Sequence, residues 1–169
     1  MSSIFQKLIT ALLFLAIHGG LQAIEDPGRT RIAEIRVKVY HATDGDPNAA
    51  GPRALPVPHM TSSRFSSEEE LRFKHYRLIG HDTIPLLRSY ESWSKPLKPS
   101  DVMELRVEAQ GQPTKKSAQL DVEVWLSRDK VLKMDAKLEE KKPLYVLGPE
   151  WRDGRIIIAI ELAAHRRRR

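Results

Sequence analysis

Three groups of residues have the types and spacing to do chemistry. The first lies in TDGDPNAAG, Thr43 to Gly51, where Asp44, Asp46 and Asn48 alternate as the opening oxygen ligands of a calcium loop would. A helical calcium loop also needs glycine at its sixth position and a bidentate glutamate at its twelfth. Counted from Asp44, those positions hold Ala49 and Leu55, and Pro47 stiffens the backbone where it would have to curl around an ion. The stretch therefore reads as a polar bend in which Asp and Asn cap turns through nearby backbone.

The second group is His75, His81 and Asp82, with His41 and His59 in the neighbouring irregular region. Zinc needs three or four converging ligands, usually including a closely spaced pair. The spacing from His75 to His81 imposes no such convergence, so these residues are only candidate metal ligands, or candidate enzyme groups in a helix-to-strand cleft. The chain has no cysteine and no G-x-S-x-G elbow. Isolated glycines such as Gly111 and Gly154 do not form a phosphate cradle. Glu139 and Glu140 stand beside Lys141 and Lys142 in what reads as a solvated turn. No catalytic residue is assigned, and no cofactor is expected.

The third group is aromatic. Trp125 shares a strand face with Asp121 and Glu123, while Trp93 and Trp151 fall in predicted turns. Exposed tryptophan on a β-scaffold can stack on sugars or anchor a protein partner. Trp125, Tyr145 and Trp151 are the candidate binding residues. The competing expectation is that the 41–66 segment or a helix packs over Trp125.

The elements that must position these residues follow from hydrophobic periodicity. Ala33, Ile35, Val37 and Val39 alternate with Glu34, Arg36, Lys38 and Tyr40, the pattern of a half-buried strand. Similar alternation covers Val102–Glu108, Leu120–Leu126 and Leu132–Leu138, the last two forming a hairpin. Short strands are expected at Tyr76–Gly80, Ile84–Tyr90 and Leu144–Leu147, with Pro85 marking an edge. Ile156–Leu162 reads as a strand buried on both faces. Ser67 with Glu70 fits a capping box for a helix over Glu68–Lys74. Residues 41–66, with four prolines, read as a long loop. The expected fold is mainly β, an antiparallel sandwich or partly closed barrel of about seven or eight strands with one short helix.

The 169-residue chain opens with Lys7, an apolar run from Leu8 to Ile17, and small residues up to Ala23, the order of a secretory signal peptide. Cleavage after Ala23 is expected. Residues 24–30 then form a flexible lead, 31–163 a single β-rich domain and 164–169 a basic tail. That run is too short for an ordinary membrane-spanning helix, and no later segment is longer and more apolar, so no transmembrane helix is expected after cleavage. The net charge of +6 sits mostly at the ends. Without Lys7 and Arg166–Arg169, Lys plus Arg falls from 28 to 23 against 22 Asp plus Glu. A nearly neutral body excludes a basic nucleic-acid face, although the tail could touch anionic surfaces.

RFKHYRLIG, Arg72 to Gly80, and LYVLGPEWRDGRIIIAIEL, Leu144 to Leu162, resemble segments of a group of small exported bacterial proteins of undefined role. The closing segment is also similar in texture to the last strands of secretin-type outer-membrane proteins. These resemblances imply a helix, a YRLIG strand and a final apolar hairpin, and they supply no catalytic residue. The expectation is a non-enzymatic module of the cell envelope, periplasmic or extracellular. Its partner would be an envelope protein engaged at a sheet edge or by the 41–66 segment, with Trp125 and Tyr145 as anchors. A glycan held by the tryptophans is the alternative, and an envelope enzyme using His75, His81 and Asp82 is the third reading.

Overall fold

The computed structural model describes residues 26–114 and 116–163. The expected leader and basic tail lie outside them. Among the described residues, strands dominate, as the alternation predicts, and form two antiparallel sheets with no closed barrel. The first sheet contains β1 (Arg31–Thr43), β2 (Leu55–Pro56), β3 (His75–Leu87), β8 (Leu144–Trp151) and β9 (Gly154–Ala163), in the order β2-β3-β1-β9-β8. The second contains β4 (Ser92–Ser94), β5 (Met103–Ala109), β6 (Ser117–Leu126) and β7 (Asp129–Glu139), in that order. The helix α1 spans His59–Ser67.

Period-two patterning aims one row from each sheet into a shared core. Ile35, Val37 and Val39 of β1 meet Leu105 and Val107 of β5, and Leu120, Val122 and Val124 of β6. β9 is buried on both faces, as its isoleucine run predicts. Ile156, Ile158 and Ile160 enter this inter-sheet core, while Ile157 and Ala159 face the opposite way. There they meet Tyr40, Ala42, Leu71 and Phe65 of α1 in a second core. The molecule therefore has three layers, with α1 outside the first sheet and the second sheet on its other side.

Helix placement corrects the expectation. α1 precedes Glu68, and Ser67 ends it rather than capping a helix after it; only a 3₁₀ turn, Glu69–Leu71, follows. Its serines bond back to its own carbonyls, Ser62 to His59 at 3.0 Å and Ser66 to Ser62 at 3.0 Å. Such back-bonding does not favour a helix. The helix is held instead by Phe65, packed against Tyr40, Tyr76 and Tyr145 at centroid distances of 5.1, 5.1 and 5.0 Å. The expected long loop is thus replaced by the end of β1, a 3₁₀ turn at Pro47–Ala50, β2 and α1. Within it, Asp46 accepts from the Asn48 backbone at 2.9 Å and Asp44 from the Lys74 backbone at 2.9 Å. The aspartates cap backbone, as a polar bend requires. The described part of the lead is also tied down, with Tyr90 donating to Asp26 at 2.6 Å and Ser89 N to Gly28 O at 3.1 Å.

Tyr76–Gly80 and Ile84–Leu87 belong to one strand, β3, despite Gly80 and Pro85. A Cβ on Gly80 would lie 2.2 Å from the Lys98 carbonyl oxygen, so this glycine lets the Lys95–Ser100 loop seat on β3. Asp82 accepts from buried Ser94 of β4 beside it. The sandwich is closed along its β3/β4 side by these contacts.

The β8–β9 hairpin turns on Arg152 and Asp153, with φ of 47° and 57°. Two positive φ values characterise the tight hairpin turn that matches strand twist, at a cost for residues with a Cβ. β1 holds it in place. Buried His41 places Nε2 3.1 Å from Trp151 O and 3.2 Å from Arg152 O, and Thr43 Oγ1 donates to Asp153 O at 2.7 Å. Two carbonyl neighbours fix Nε2 as the protonated nitrogen.

Gly80→Ala should destabilise the domain by about 1–3 kcal/mol, the usual cost of forcing an atom into a packed contact. Gly45→Ala, whose nearest obstacle is Thr43 Oγ1 at 3.5 Å, should cost clearly less. Urea midpoints of the two variants compare them directly, and equal midpoints would contradict the close approach of the loop.

Candidate functional site

The outer face of the second sheet is built from the polar halves of three alternating strands. Register places Arg106 of β5 opposite Glu123 of β6, and Glu123 opposite Lys133 of β7. The Arg106 guanidinium lies 2.5 Å from Glu91 and 3.3 Å from Glu123, and it also bonds Glu108. Lys130 reaches Glu123 at 2.7 Å, while Lys133 reaches Asp121 at 2.9 Å and Glu123 at 3.3 Å. Glu123 is only 3% exposed although it faces outward, because these long side chains cover it.

Burial of Glu123 raises its carboxyl pKa. Hydrogen bonds from Lys130, the Trp125 indole at 3.0 Å and Lys133, together with the charge of Arg106, outweigh burial and leave it below the usual range. Lys130 also flanks an aromatic pair, with Lys95 on its other member. Trp93 and Trp125 have ring centroids 6.3 Å apart, with Lys95 over Trp93 at 5.4 Å and Lys130 over Trp125 at 5.0 Å.

This arrangement corrects two aromatic expectations. Trp125 is half-buried by Trp93 and Lys130, not by the 41–66 segment or the helix, which pack on the other sheet. Trp93 belongs to β4 rather than a turn. Tyr145 is half-buried against Phe65, with Arg64 over its ring at 5.4 Å, and burial raises its phenol pKa. It anchors the protein's own helix. Trp151 ends β8, not a turn, with its ring edge-on to His41 at 5.6 Å and beneath Arg152 at 4.3 Å. Trp125, Tyr145 and Trp151 thus occupy separate places and form no common platform.

The histidine group does not assemble either. His75 begins β3, and His81 is six residues along the same strand, about 20 Å away at about 3.3 Å per residue. Asp82 adjoins His81, so its side chain projects to the opposite face, toward Ser94. Among the described residues, no three His, Cys, Asp or Glu side chains form a metal-sized cluster.

The remaining candidate is a backbone edge. A sheet edge offers unpaired N–H and C=O groups to any strand that can reach it. β2 and β4 are two and three residues long. The rest of β3 is closed by β4 and the Lys95–Ser100 loop. β8 is interrupted by a register shift between Leu147 and Glu150, where Gly148 and Pro149 stand. Among the described residues, β7 alone runs long, eleven residues, with β6 on one side and no strand on the other.

A register shift also occurs on β7. Lys130 pairs with Trp125 and Leu132 with Val124, leaving Val131 as the extra residue, 48% exposed. At the other end, Lys142 bridges Glu139. The free edge therefore runs from Leu132 to Leu138. Beside it lies a cavity of about 230 Å³ between the sheets, lined by Val131, Leu132, Val146, Leu147 and Pro149. A wider depression of about 540 Å³ lies by the β8–β9 turn, lined by Phe73 and by the strand ends and turn from Glu150 to Arg155.

Scans against family models, curated proteins and solved structures find no match to this chain. The site therefore rests on the chain's own geometry. Sequence reading missed Trp93, Arg106 and Asp135 as members of one face. The available signal was Glu104-x-Arg106-x-Glu108 alternating beside Asp121-x-Glu123, two strands whose charges complement once paired.

A carboxylate held below its unfolded pKa stabilises the fold above that unfolded value, about 4.3 for Glu, and the contribution disappears as pH falls through the lowered folded value. The urea midpoint should therefore drop as pH falls from about 5 into the range below 4. Glu123→Gln should have a lower midpoint at pH 7 and a flatter acid limb. An unchanged acid limb would remove Glu123 from the stabilising network.

Proposed function

We propose that the protein is a non-enzymatic, exported module of the bacterial cell envelope that binds a protein partner by accepting an extended strand along β7. The observation that carries this reading is the free β7 edge from Leu132 to Leu138 next to the cavity between β7 and β8. Strand addition there would satisfy the edge N–H and C=O groups, while alternate side chains of the added strand would cover half-buried Leu132 and Met134. Main-chain bonds would supply affinity, and side-chain pockets would supply choice of partner. The leader-like opening, Lys7 followed by Leu8–Ile17 and Ala23, supports export.

A photocrosslinking side chain introduced at Asp135 tests the edge in cells expressing the full chain. Glu150 on β8 and Lys95 beside β4 serve as control positions. Adducts should form at Asp135, with the captured peptide mapped by mass spectrometry to an extended segment of an identified protein, and the controls should remain blank. No adduct at Asp135, or equal labelling at all three positions, would overturn the reading.

The Trp93–Trp125 pair supports a second reading, glycan binding on the outer face. A sugar stacking there would compete with Lys95 or Lys130 for a ring face. Trp125→Ala should then abolish binding on a glycan array while retaining the β circular dichroism spectrum. Binding that survives this change, or an array with no signal for the parent chain, would discard this alternative.

A further inference from the structure

We infer that the strand accepted by β7 is β7 of a second copy, paired antiparallel about a two-fold axis at Ala136. This rests on the strand-addition reading and names its partner. The order of charges on the outer face of β7 decides how two copies could pair. Lys133, Asp135, Lys137 and Glu139 lie opposite Glu123, Asp121, Gln119 and Ser117 of β6, so all four project outward. Their signs run plus, minus, plus, minus. Met134, Ala136 and Leu138 alternate with them and face the core.

Antiparallel pairing of two β7 strands across a two-fold axis keeps outer face with outer face only when the axis falls on a residue. With the axis at Asp135 or Lys137, identical charges meet at the centre. An axis at Lys133 sets two lysines against each other. An axis at Ala136 places Lys137 of each copy opposite Asp135 of the other, and Met134 opposite Leu138 on the inner face. The ladder then runs from Met134 to Leu138, and Lys133 of each copy approaches Glu139 of the other beyond its ends. An axis at Met134 also opposes lysine and aspartate, through Lys133 and Asp135, but its ladder soon meets the extra residue Val131.

The existing contacts choose between these two registers. Asp135 stands directly opposite Asp121, a like-charge pair that is unfavourable across strands. Among the described residues, Asp135 has no cation partner, because Lys133 is committed to Asp121 and Glu123. Lys137 is 62% exposed, and its ion pair is with Glu139 at 3.4 Å. An axis at Ala136 brings this more available lysine to the unpartnered aspartate. The Met134 axis would offer only the committed Lys133. The same contact would join two second sheets into one continuous sheet across the dimer.

The absence of native cysteine makes introduced thiols unambiguous reporters. Separately purified full-length Asp135→Cys and Lys137→Cys chains, mixed under mild oxidation, should form a mixed disulfide dimer, since directly opposed strand residues fall within disulfide reach. Each variant alone, and Asp135→Cys mixed with Lys133→Cys, should form much less. Asp135→Lys should weaken self-association measured by light scattering about tenfold. It should not lower the urea midpoint, because the new lysine faces Asp121 within its own chain. Adding Lys137→Asp should restore association by exchanging the signs.

Absence of the mixed dimer, or failure of the double variant to restore association, would overturn this register. Faster crosslinking through Lys133→Cys would transfer the axis to Met134 and also overturn it. A monomeric chain whose Asp135 photoadduct contains a different protein would sink self-pairing and leave the edge reading intact. A monomer without any adduct would sink both.

Discussion

Ile156, Ile158 and Ile160 of β9 point into the sandwich while Ile157 and Ala159 point away from it, so this strand needs cover on both sides. Burying a side chain as large as isoleucine is worth about 1.5–3 kcal/mol. Leaving the inner row in water would forfeit three such terms, comparable to the stability of a whole domain, and leaving the other would expose Ile157 with Ala159. The second sheet covers one row and α1 covers the other. β1 lies beside β9 and shares this fate, with Val37 and Val39 on one side and Tyr40 and Ala42 on the other. Once the first sheet is central, the outer face of the second sheet is left to solvent. Its polar residues are a consequence of that layer order.

The solvent-facing layer is nevertheless ordered by charge rather than left as a loose fringe. Isolated surface ion pairs contribute little, but Arg106 is 15% exposed and surrounded by several carboxylates. Removing that one cation would leave Glu123, nearly covered, against fewer compensating charges. The tryptophans belong to the same assembly, since Trp125 donates to Glu123 and both rings carry lysines. Their role in holding the face is visible in the geometry without any external ligand.

Much of the fold was legible because alternation reports which row of a strand is wet. It located β1, β5, β6, β7 and β9, and the isoleucine run revealed two-sided burial. The helix was illegible for a physical reason. HMTSSRFSS carries one fully buried residue, Phe65, and three aromatic rings from distant strands hold it. Capping chemistry at Ser67 and Glu70 pointed to a helix that tertiary packing did not build. Trp151 was misplaced because turn signals at Gly148, Pro149, Asp153 and Gly154 spread the expected turn over seven residues, whereas the turn is Arg152 and Asp153 alone and the hydrogen bonds that fix it come from β1. The quoted motifs proved to describe scaffolding. Tyr76 closes the segment after the 3₁₀ turn by accepting from Phe73 N at 2.8 Å and donating to Leu71 O at 3.0 Å. Gly154 leaves room for His41 and the Ala42 carbonyl. The candidate site was less legible, because a cross-strand charge pair exists only after register is known.

Charged residues on an edge strand ordinarily discourage pairing with other strands, and β7 has both lysines and an extra residue at Val131. Protection of this kind does not require the signs to alternate. A row of lysines would repel in every register and would block the edge more completely. Alternation of lysine and acid repels when identical positions meet at a charged centre but attracts when the axis falls between charges. The same side chains can therefore oppose most pairings while permitting a few. Each opposed pair is worth only about 0.2–1 kcal/mol, so charge contributes more to register than to strength. Any strength must come from edge hydrogen bonds and from added cover over half-buried Leu132 and Met134, because Ala136 and Leu138 are already buried within their own chain. Main-chain pairing thus supports association generally, and the charged row selects which association forms.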